Sequence, residues 1–368
     1  MIFKKMTSIK KISGKIINYN NSIYGEIKFD ENIVEINNKS EENFAYYIIP
    51  GFVDLHCHGG GGFDTMEGMQ SIQKMSEYHL SKGTTSLLAT TWTSTFEHIY
   101  NALNGFNTLL GSDSNLLGLH LEGPFINPNK LGAQPPLTSK PSIKFIEKAM
   151  KLANIKTITI APEIEGMDKF IPYLINKKIN VQFGHSLADS KCCEQYISEN
   201  NISFTHLYNA MSGNDHRNPG VLSAALSKGN FAEIICDMNH VSEEAILIAK
   251  KSIPNLYAVT DSIAASGLRD GNYKFAKVEI NKINDKVFLK NTNTLAGSVV
   301  NMHDTFLNLI KMKISIQDAV KMTSFSAAKY LNETSIGTIE IGKRSNFLVL
   351  DKNLNLIKIF LNGQLVNV

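Results

Sequence analysis

Residues 50–67 read PGFVDLHCHGGGGFDTME, an apolar run that ends in two histidines spaced two residues apart. Because side chains at positions i and i+2 of a β-strand point the same way, Asp54, His56 and His58 share one face at the end of this strand. A divalent metal ion would hold two such imidazoles together. The glycines that follow would let the backbone approach this site without Cβ atoms. The alternative is a pair of exposed histidines at a strand end.

The segment from about 50 to 334 alternates strand-like apolar runs with helical patterns. Eight such runs predict a (β/α)8 barrel of the TIM type, and a doubly wound open sheet is the alternative. The runs read, in order, IIPGFVDL, TTSLLATT, LLGLHLE, TITIAP, NVQFGH, ISFTHL, EIICDM and LYAVTD. Helical patterns lie between most of them, as at residues 69–82, 141–152, 188–199 and 242–252. The number of runs and the placement of polar residues favour the barrel.

The two ends of the chain are rich in short β-like pieces. They predict one small β-sandwich domain formed by both termini, residues 1–49 and 335–368, beside a barrel domain at 50–334. The Asn-Gly pair at 362–363 indicates a hairpin turn. Residues 272–293 indicate a β-hairpin inserted after the eighth barrel strand.

Ligand-type side chains end four further runs. Glu122 ends the third, His185 the fifth, His206 the sixth and Asp261 the eighth. In a barrel, these carboxyl ends all lie on the face where active sites are found. Imidazole and carboxylate groups suit Zn²⁺, Fe²⁺, Mn²⁺ or a similar ion. Each residue alone would be read as a core or capping group, but six at one end of a barrel favour a metal site.

The other histidines carry weaker signals. His79, His98 and His303 lie in helical patterns and are read as surface or core residues. His120 shares a strand face with Glu122, which makes it either a neighbour of the site or a packed barrel residue.

Composition excludes several classes of protein. The net charge is only +3 and the basic residues form no stripe, so no nucleic-acid partner is expected. No apolar stretch of ~18 residues predicts a membrane span. The N-terminus lacks the apolar core of a signal peptide, and the four cysteines form no CxxC or disulfide framework. A cytoplasmic protein is expected.

Several motifs follow one another in a fixed order along the predicted barrel: PGFVDLHCHGGGGFDTME, GLHLEGPF, GHS, THLYNAM, HRNPG, VTDSIAASGLRDG and LAGS. Through them the chain resembles the N-acetylglucosamine-6-phosphate deacetylases of the amidohydrolase superfamily. THLYNAM and HLEGP are specific to these deacetylases within the superfamily, whereas HxH is general. The resemblance covers nearly the whole barrel. It implies an α/β fold, a barrel of the amidohydrolase type with a small β-sandwich built from both termini.

The resemblance also implies an activity and a cofactor. The acetamide of N-acetylglucosamine-6-phosphate would be hydrolysed to glucosamine-6-phosphate and acetate, by metal-activated hydroxide with Asp261 as acid and base. Each subunit would bind one or two divalent ions, with Glu122 bridging them when both are present. The metal ligands implied by the resemblance are His56, His58, Glu122, His185, His206 and Asp261.

The residues that the resemblance assigns to the amino-sugar phosphate are Asn209, Ala210, His216, Arg217 and His240. Since this arginine reaches the neighbouring active site in the family, Arg217 would act across a homodimer. Gln134 aligns with a histidine that polarises the acetyl carbonyl in single-metal members. Met238 replaces a frequent glycine and is expected to narrow that side of the pocket.

Three alternatives stay open. The first is an N-acetylgalactosamine-6-phosphate deacetylase, since one hydroxyl separates the two sugars. The second is a cyclic-amide hydrolase of the same superfamily, although those enzymes bridge their metals with a carboxylated lysine after the fourth strand, where no lysine ends TITIAP. The third is a binding protein on the same scaffold.

Overall fold

The computed structural model describes residues 9–39, 44–111, 114–197, 201–275 and 278–366. Parts of three predictions lie outside these residues, namely 1–8, 40–43 and 367–368 of the β-sandwich, 198–199 of a helix and 276–277 of the hairpin. Within the described ranges, no helix has the length and apolar character needed to cross a bilayer.

The strands are numbered in chain order. They are β1 (Lys10–Ile17), β2 (Ser22–Phe29), β3 (Ile33–Asn38), β4 (Tyr47–Pro50), β5 (Phe52–Cys57), β6 (Gly59–Gly60), β7 (Phe63–Asp64), β8 (Thr84–Thr91), β9 (Leu116–Glu122), β10 (Ile155–Ile160), β11 (Asn180–Phe183), β12 (Ser203–Phe204), β13 (Phe231–Ile235), β14 (Asn255–Val259), β15 (Gly271–Phe275), β16 (Val278–Ile283), β17 (Lys286–Leu289), β18 (Phe347–Leu350), β19 (Leu356–Leu361) and β20 (Gln364–Val366).

The α-helices are numbered in the same way. They are α1 (Met69–Leu80), α2 (Phe96–Leu103), α3 (Ile143–Leu152), α4 (Met167–Asn176), α5 (Ser190–Ile197), α6 (Val221–Lys228), α7 (Glu243–Ser252), α8 (Met302–Lys311), α9 (Ile316–Val320) and α10 (Ser326–Tyr330). Side-chain caps fix several starts, as where Ser142 accepts from the N–H of Phe145 and Ser242 from that of Ala245.

Eight parallel strands form a closed barrel. β5, β8, β9, β10, β11 and β12 pair in that order, and β13 pairs with β14. The ring closes where Leu207 N donates to Glu233 O at 2.8 Å and Asp261 N donates to His56 O at 2.9 Å. Every residue of β5 and β8 is buried, as expected for parallel strands that helices cover. The predicted (β/α)8 fold is confirmed.

Both termini build one separate sheet in the order β20-β19-β18-β4-β1-β2-β3. This sheet folds over on itself, because the ring of Phe29 in β2 lies 4.9 Å from that of Phe347 and 5.1 Å from that of Phe360. The predicted Asn-Gly turn joins β19 to β20, with Asn362 and Gly363 both at positive φ. The predicted domain boundary at 49/50 falls inside β4 and stays a prediction.

The insertion after the eighth barrel strand holds three antiparallel strands, β15, β16 and β17, rather than the two of a hairpin. Ile280 and Val287 pack beneath it with Ile263 and Ala296, so the insertion has its own small core against the top of the barrel. The chain then returns over the barrel mouth at Asn293, Thr294 and Leu295.

Candidate active site

His56 and His58 converge at the carboxyl end of β5. Their Nε2 atoms are 3.1 Å apart, and Asp261 Oδ1 lies 3.5 Å from the first and 3.4 Å from the second. Asp261 reaches them because it follows β14, the strand that neighbours β5 in the closed barrel. These three side chains form one group of metal-type donors.

Glu122, His185 and His206 form a second group beside it. Glu122 Oε1 lies 3.1 Å from the Nε2 atoms of both histidines, which are 3.0 Å from each other. The other oxygen of Glu122 lies 3.1 Å from His58 Nε2. Glu122 therefore stands between the two groups, and all six residues predicted from the sequence come together.

The hydrogen bonds around the imidazoles fix which nitrogen faces the centre. His58 Nδ1 lies 3.2 Å from Thr90 O and His185 Nδ1 lies 2.8 Å from Lys130 O. A carbonyl only accepts, so each Nδ1 carries a hydrogen and a neutral ring presents the lone pair of Nε2 inwards. Lone pairs and carboxylate oxygens about 3 Å apart cannot satisfy one another. The donor set therefore fits a divalent cation.

The electrostatics of the two groups lead to the same conclusion. Burial lowers the pKa of His58, but hydrogen bonds to Asp261 and Glu122 outweigh burial and raise that pKa to about 9. Burial raises the pKa of Glu122, but the charge of His56 and the close contact with His185 hold that pKa well below its usual range. The carboxylates stay ionised and draw positive charge into the site, which a bound cation would supply in place of protons.

Three of the six residues have backbone angles that residues other than glycine rarely adopt. The φ values are +49° at His185, +28° at His206 and +48° at Asp261. Such conformations cost about 1–3 kcal/mol each and persist where the surroundings enforce them. Each residue directly follows a barrel strand or its exit turn, so the strained turns aim these side chains back over the barrel mouth.

A third group, Asp54, Cys57 and His79, also brings donor atoms together, but its chemistry does not fit a metal. His79 Nε2 lies 3.0 Å from Gly59 O and must donate its hydrogen there. Asp54 accepts from both the hydroxyl and the N–H of Thr260. Burial lowers the pKa of His79 to about 4, so the ring is neutral. His79 is a core residue, one of the two readings that its helical position allowed.

A cavity of about 310 Å³ opens above the donor groups. The cavity is lined by His58, Trp92, Glu122, Gly132, Ala133, Gln134, His185, His206, Asn209, Ala210, His240, Asp261, Asn293, Thr294, Leu295 and Gly297. Trp92 forms one wall, with its ring stacked 4.1 Å from that of His58 and its N–H donated to Asp64. This size suits one small molecule above the metal-type donors.

Four of the predicted substrate residues line this cavity: Asn209, Ala210, His240 and Gln134. His240 is held by Asp237, whose carboxylate lies 2.7 Å from its Nδ1. Gln134 accepts from the N–H of Thr93 and donates to Glu122. Its amide therefore orients Glu122 and has one N–H left for a ligand.

The other two predicted substrate residues, His216 and Arg217, lie elsewhere. Both are exposed on the loop before α6, outside the lining of the cavity. The backbone N–H of Arg217 donates to Asp215, which shapes this loop. Within one chain, the guanidinium does not belong to the site.

Two expectations from the sequence are wrong. Gly59 and Gly60 do not serve the cavity: a Cβ on Gly59 would lie 2.6 Å from Ala264 N, and one on Gly60 would lie 2.6 Å from His79 Nε2. These glycines let the strand end pack on α1 and on the chain after β14. Met238 is 46% exposed and lies outside the cavity, which it therefore does not narrow. Its φ of +65° explains why glycine suits this position.

Sequence reasoning missed two residues of the site. Trp92 directly follows β8. The signal available in the sequence was that Trp92 is its single tryptophan. Glu233 lies inside β13 with no exposure and contacts His56 at 2.5 Å through Nδ1. A lone carboxylate within a buried strand must have partners, which is the signal that would have found it.

The amidohydrolase family model matches residues 47–366. The match spans the whole barrel and both groups of donors. The chain belongs to the amidohydrolase family. Members of this family generally use divalent metal ions, which agrees with the donor set.

Among curated proteins, the chain is 34% identical to an N-acetylglucosamine-6-phosphate deacetylase of Bacillus subtilis, over 86% of this chain and 84% of that protein. It is 29% identical to an N-acetylgalactosamine-6-phosphate deacetylase of Escherichia coli O157:H7, over 89% of each. Among solved structures, an N-acetylglucosamine-6-phosphate deacetylase of Thermotoga maritima superposes with a TM-score of 0.89 at 29% identity, covering 97% of this chain and 99% of that one.

Proposed function

We propose that this amidohydrolase removes the acetyl group of N-acetylglucosamine-6-phosphate, giving glucosamine-6-phosphate and acetate. The observation that carries the proposal is the position of Glu122, which ends the third barrel strand and stands between two groups of metal-type donors beneath a small-molecule cavity. The Bacillus subtilis relative, a deacetylase of this sugar phosphate, supports the choice of substrate.

The metal ligands would be divided between the two groups. His185 and His206 would hold one ion, His56, His58 and Asp261 the other, and Glu122 would contact both. A divalent ion held there supplies a Lewis acid for a carbonyl oxygen and lowers the pKa of water. Zinc, iron and manganese all suit this mixture of imidazole and carboxylate donors.

Asp261 is the proposed acid and base. Burial raises its pKa, but the charge of His56 and the hydrogen bond with His58 lower it below its usual value, so the carboxylate is ionised and able to accept a proton. It would take a proton from the attacking water. It would return that proton to the sugar nitrogen as the C–N bond breaks, so that acetate and a free amine leave.

The sugar would lie along Asn209, Ala210 and His240, with its phosphate pointing away from the metal donors. In one chain, Arg217 is exposed and outside the cavity. We propose that two copies associate so that Arg217 of each enters the other's site. A guanidinium offers the planar fork of donors that a phosphate accepts.

The cyclic-amide alternative finds no support in the lining of the cavity. The residues after β10 are Ala161, Pro162 and Glu163, and the described cavity lining contains no lysine to bridge two metals. Binding proteins on this scaffold usually lose donors, whereas here all six donors, Asp261 among them, converge. The galactosamine epimer stays a second candidate because the Escherichia coli relative bears that name.

The test is acetate release by metal-supplied protein from N-acetylglucosamine-6-phosphate, its unphosphorylated sugar and its galactosamine epimer. We expect strong preference for the phosphorylated gluco-sugar. Preference for the epimer would replace the substrate but keep the reaction. No acetate from any of the three would contradict the proposed function while leaving the metal centre to be tested by binding.

A further inference from the structure

Glu233 is a carboxylate enclosed in the barrel beneath the donor groups. It lies in the middle of β13, has no exposed surface and is flanked by the buried Ala232 and Ile234. A charged group in such a place is costly unless every oxygen finds a donor. An apolar side chain could pack at this position without that cost. The partners of the carboxylate should therefore show what Glu233 does.

Those partners belong to both groups of metal-type donors. Oε1 lies 2.5 Å from Nδ1 of His56 and accepts the backbone N–H of His206 at 2.9 Å. Oε2 accepts from the side-chain amide of Gln182 at 3.2 Å. One oxygen therefore holds the ring of a histidine in the first group and the backbone of a histidine in the second.

Each contact has a direct effect on a donor. The carboxylate keeps the hydrogen of His56 on Nδ1, which leaves the lone pair of Nε2 facing His58 and Asp261. The second contact restrains His206 at its unusual φ of +28°. Among the described residues none bonds to His206 Nδ1, so this restraint acts through the backbone.

We infer that Glu233 is a positioning residue that sets the affinity of both donor groups for divalent metal ions. It touches neither the cavity nor a reacting atom, and it acts through His56 and His206. The inference rests on the proposed metal centre but not on the proposed substrate, because metal binding can be measured without any sugar.

Tyr257 provides a matched control, because it belongs to the same hydrogen-bond network in the barrel interior and is linked to Glu233 through Gln182. Tyr257 is fully buried and its hydroxyl accepts from Gln182, the same amide that donates to Glu233. Removing that hydroxyl by Tyr257→Phe disturbs the barrel interior without touching a donor histidine. It therefore reports what general damage to this layer does to metal binding.

The experiment is a titration of the metal-free full chain with Co²⁺, following the Kd and the visible absorption spectrum of the bound ion. Glu233→Gln, which keeps the side-chain size, is expected to raise the Kd about 10–100-fold and to change the spectrum, as is usual when a partner of a metal-bound histidine is lost. Tyr257→Phe is expected to keep both near wild type. Glu233→Ala, where it folds, should weaken binding further.

Two results with the variants would overturn the inference. One is a Glu233→Gln protein with the Kd and spectrum of the wild type. The other is an equal loss in Glu233→Gln and Tyr257→Phe, which would assign the effect to the packing of the interior. A wild-type chain that binds no Co²⁺ would remove the metal centre itself, and failure of acetate release alone would leave this inference standing.

Discussion

A cavity lies at each end of the barrel. The described lining of the larger cavity contains none of the metal-type donors that line the smaller one. The cavity at the amino ends of the strands has a volume of about 780 Å³ and is lined by side chains such as Lys156, Lys178 and Asn230. Its Lys156 pairs with Glu333 at 2.8 Å, with both side chains more than a quarter exposed. The cavity at the carboxyl ends has only about 310 Å³, yet it sits on six converging donors. Buried charge, and not volume, marks the site.

The largest effect should come from Asp261→Asn at the carboxyl end. The amide cannot take up the proton of the attacking water, so kcat should fall by about 10²–10⁴. KM and the binding of metal by Glu122, His185 and His206 should change little. Steady-state kinetics with metal analysis of the same sample provide the check, and a kcat near wild type would exclude Asp261 as the acid and base.

Removal of a donor should come next. His185→Ala should weaken metal binding by at least about 100-fold, the upper end of what loss of an outer partner costs, and activity should fall with it. The matched control is His98→Ala, because the ring of His98 bonds to Ser94 Oγ near the start of α2 and belongs to neither donor group. Metal content after dialysis and acetate release measure both. Equal metal content in the two variants would break the assignment of the donor groups.

A smaller effect is expected from Arg217→Ala. Loss of charge-assisted hydrogen bonds worth about 1.5–3 kcal/mol should raise KM for the phosphorylated sugar roughly 10- to 150-fold. The unphosphorylated sugar should be affected much less. Equal changes for the two sugars would argue against a phosphate contact.

Mixed subunits test whether Arg217 acts across a dimer. Arg217→Ala and Asp261→Asn chains, each impaired alone, are unfolded together and refolded. If the arginine acts in trans, a hybrid carries one intact site and activity reappears on mixing. If it acts within its own chain, no hybrid site is complete and activity stays low.

The smallest effect is expected at the opposite end of the barrel. Lys156→Ala removes the ion pair with Glu333, and a pair this exposed contributes about 0–1 kcal/mol to the free energy of unfolding. Thermal unfolding should shift slightly, and kcat and KM should stay at their wild-type values. A clear loss of activity would give the larger cavity a function and undo the comparison of the two ends.

The sequence predicted the barrel well because its strands are apolar runs, most of which end at a polar residue or are followed by one within two positions. His56, Glu122, His185, His206 and Asp261 were visible for that reason. The distances between these side chains could not be predicted. They depend on how the barrel closes between β14 and β5, and on strained turns that leave no periodic pattern in the sequence. The role of Glu233 could not be predicted, because the pattern of a strand indicates which side chains are buried but not which carboxylate oxygen contacts which imidazole.

The sheet built from both termini also bears on how the protein is made. β4 ends at Pro50, and its partner β18 begins at Phe347, roughly 300 residues later. At the ~5–20 residues per second of ribosomal synthesis, β4 waits roughly 15–60 s for that partner. During this interval the nascent chain carries a free strand edge, a template for pairing with other chains. The sheet becomes complete only as the final strands leave the ribosome.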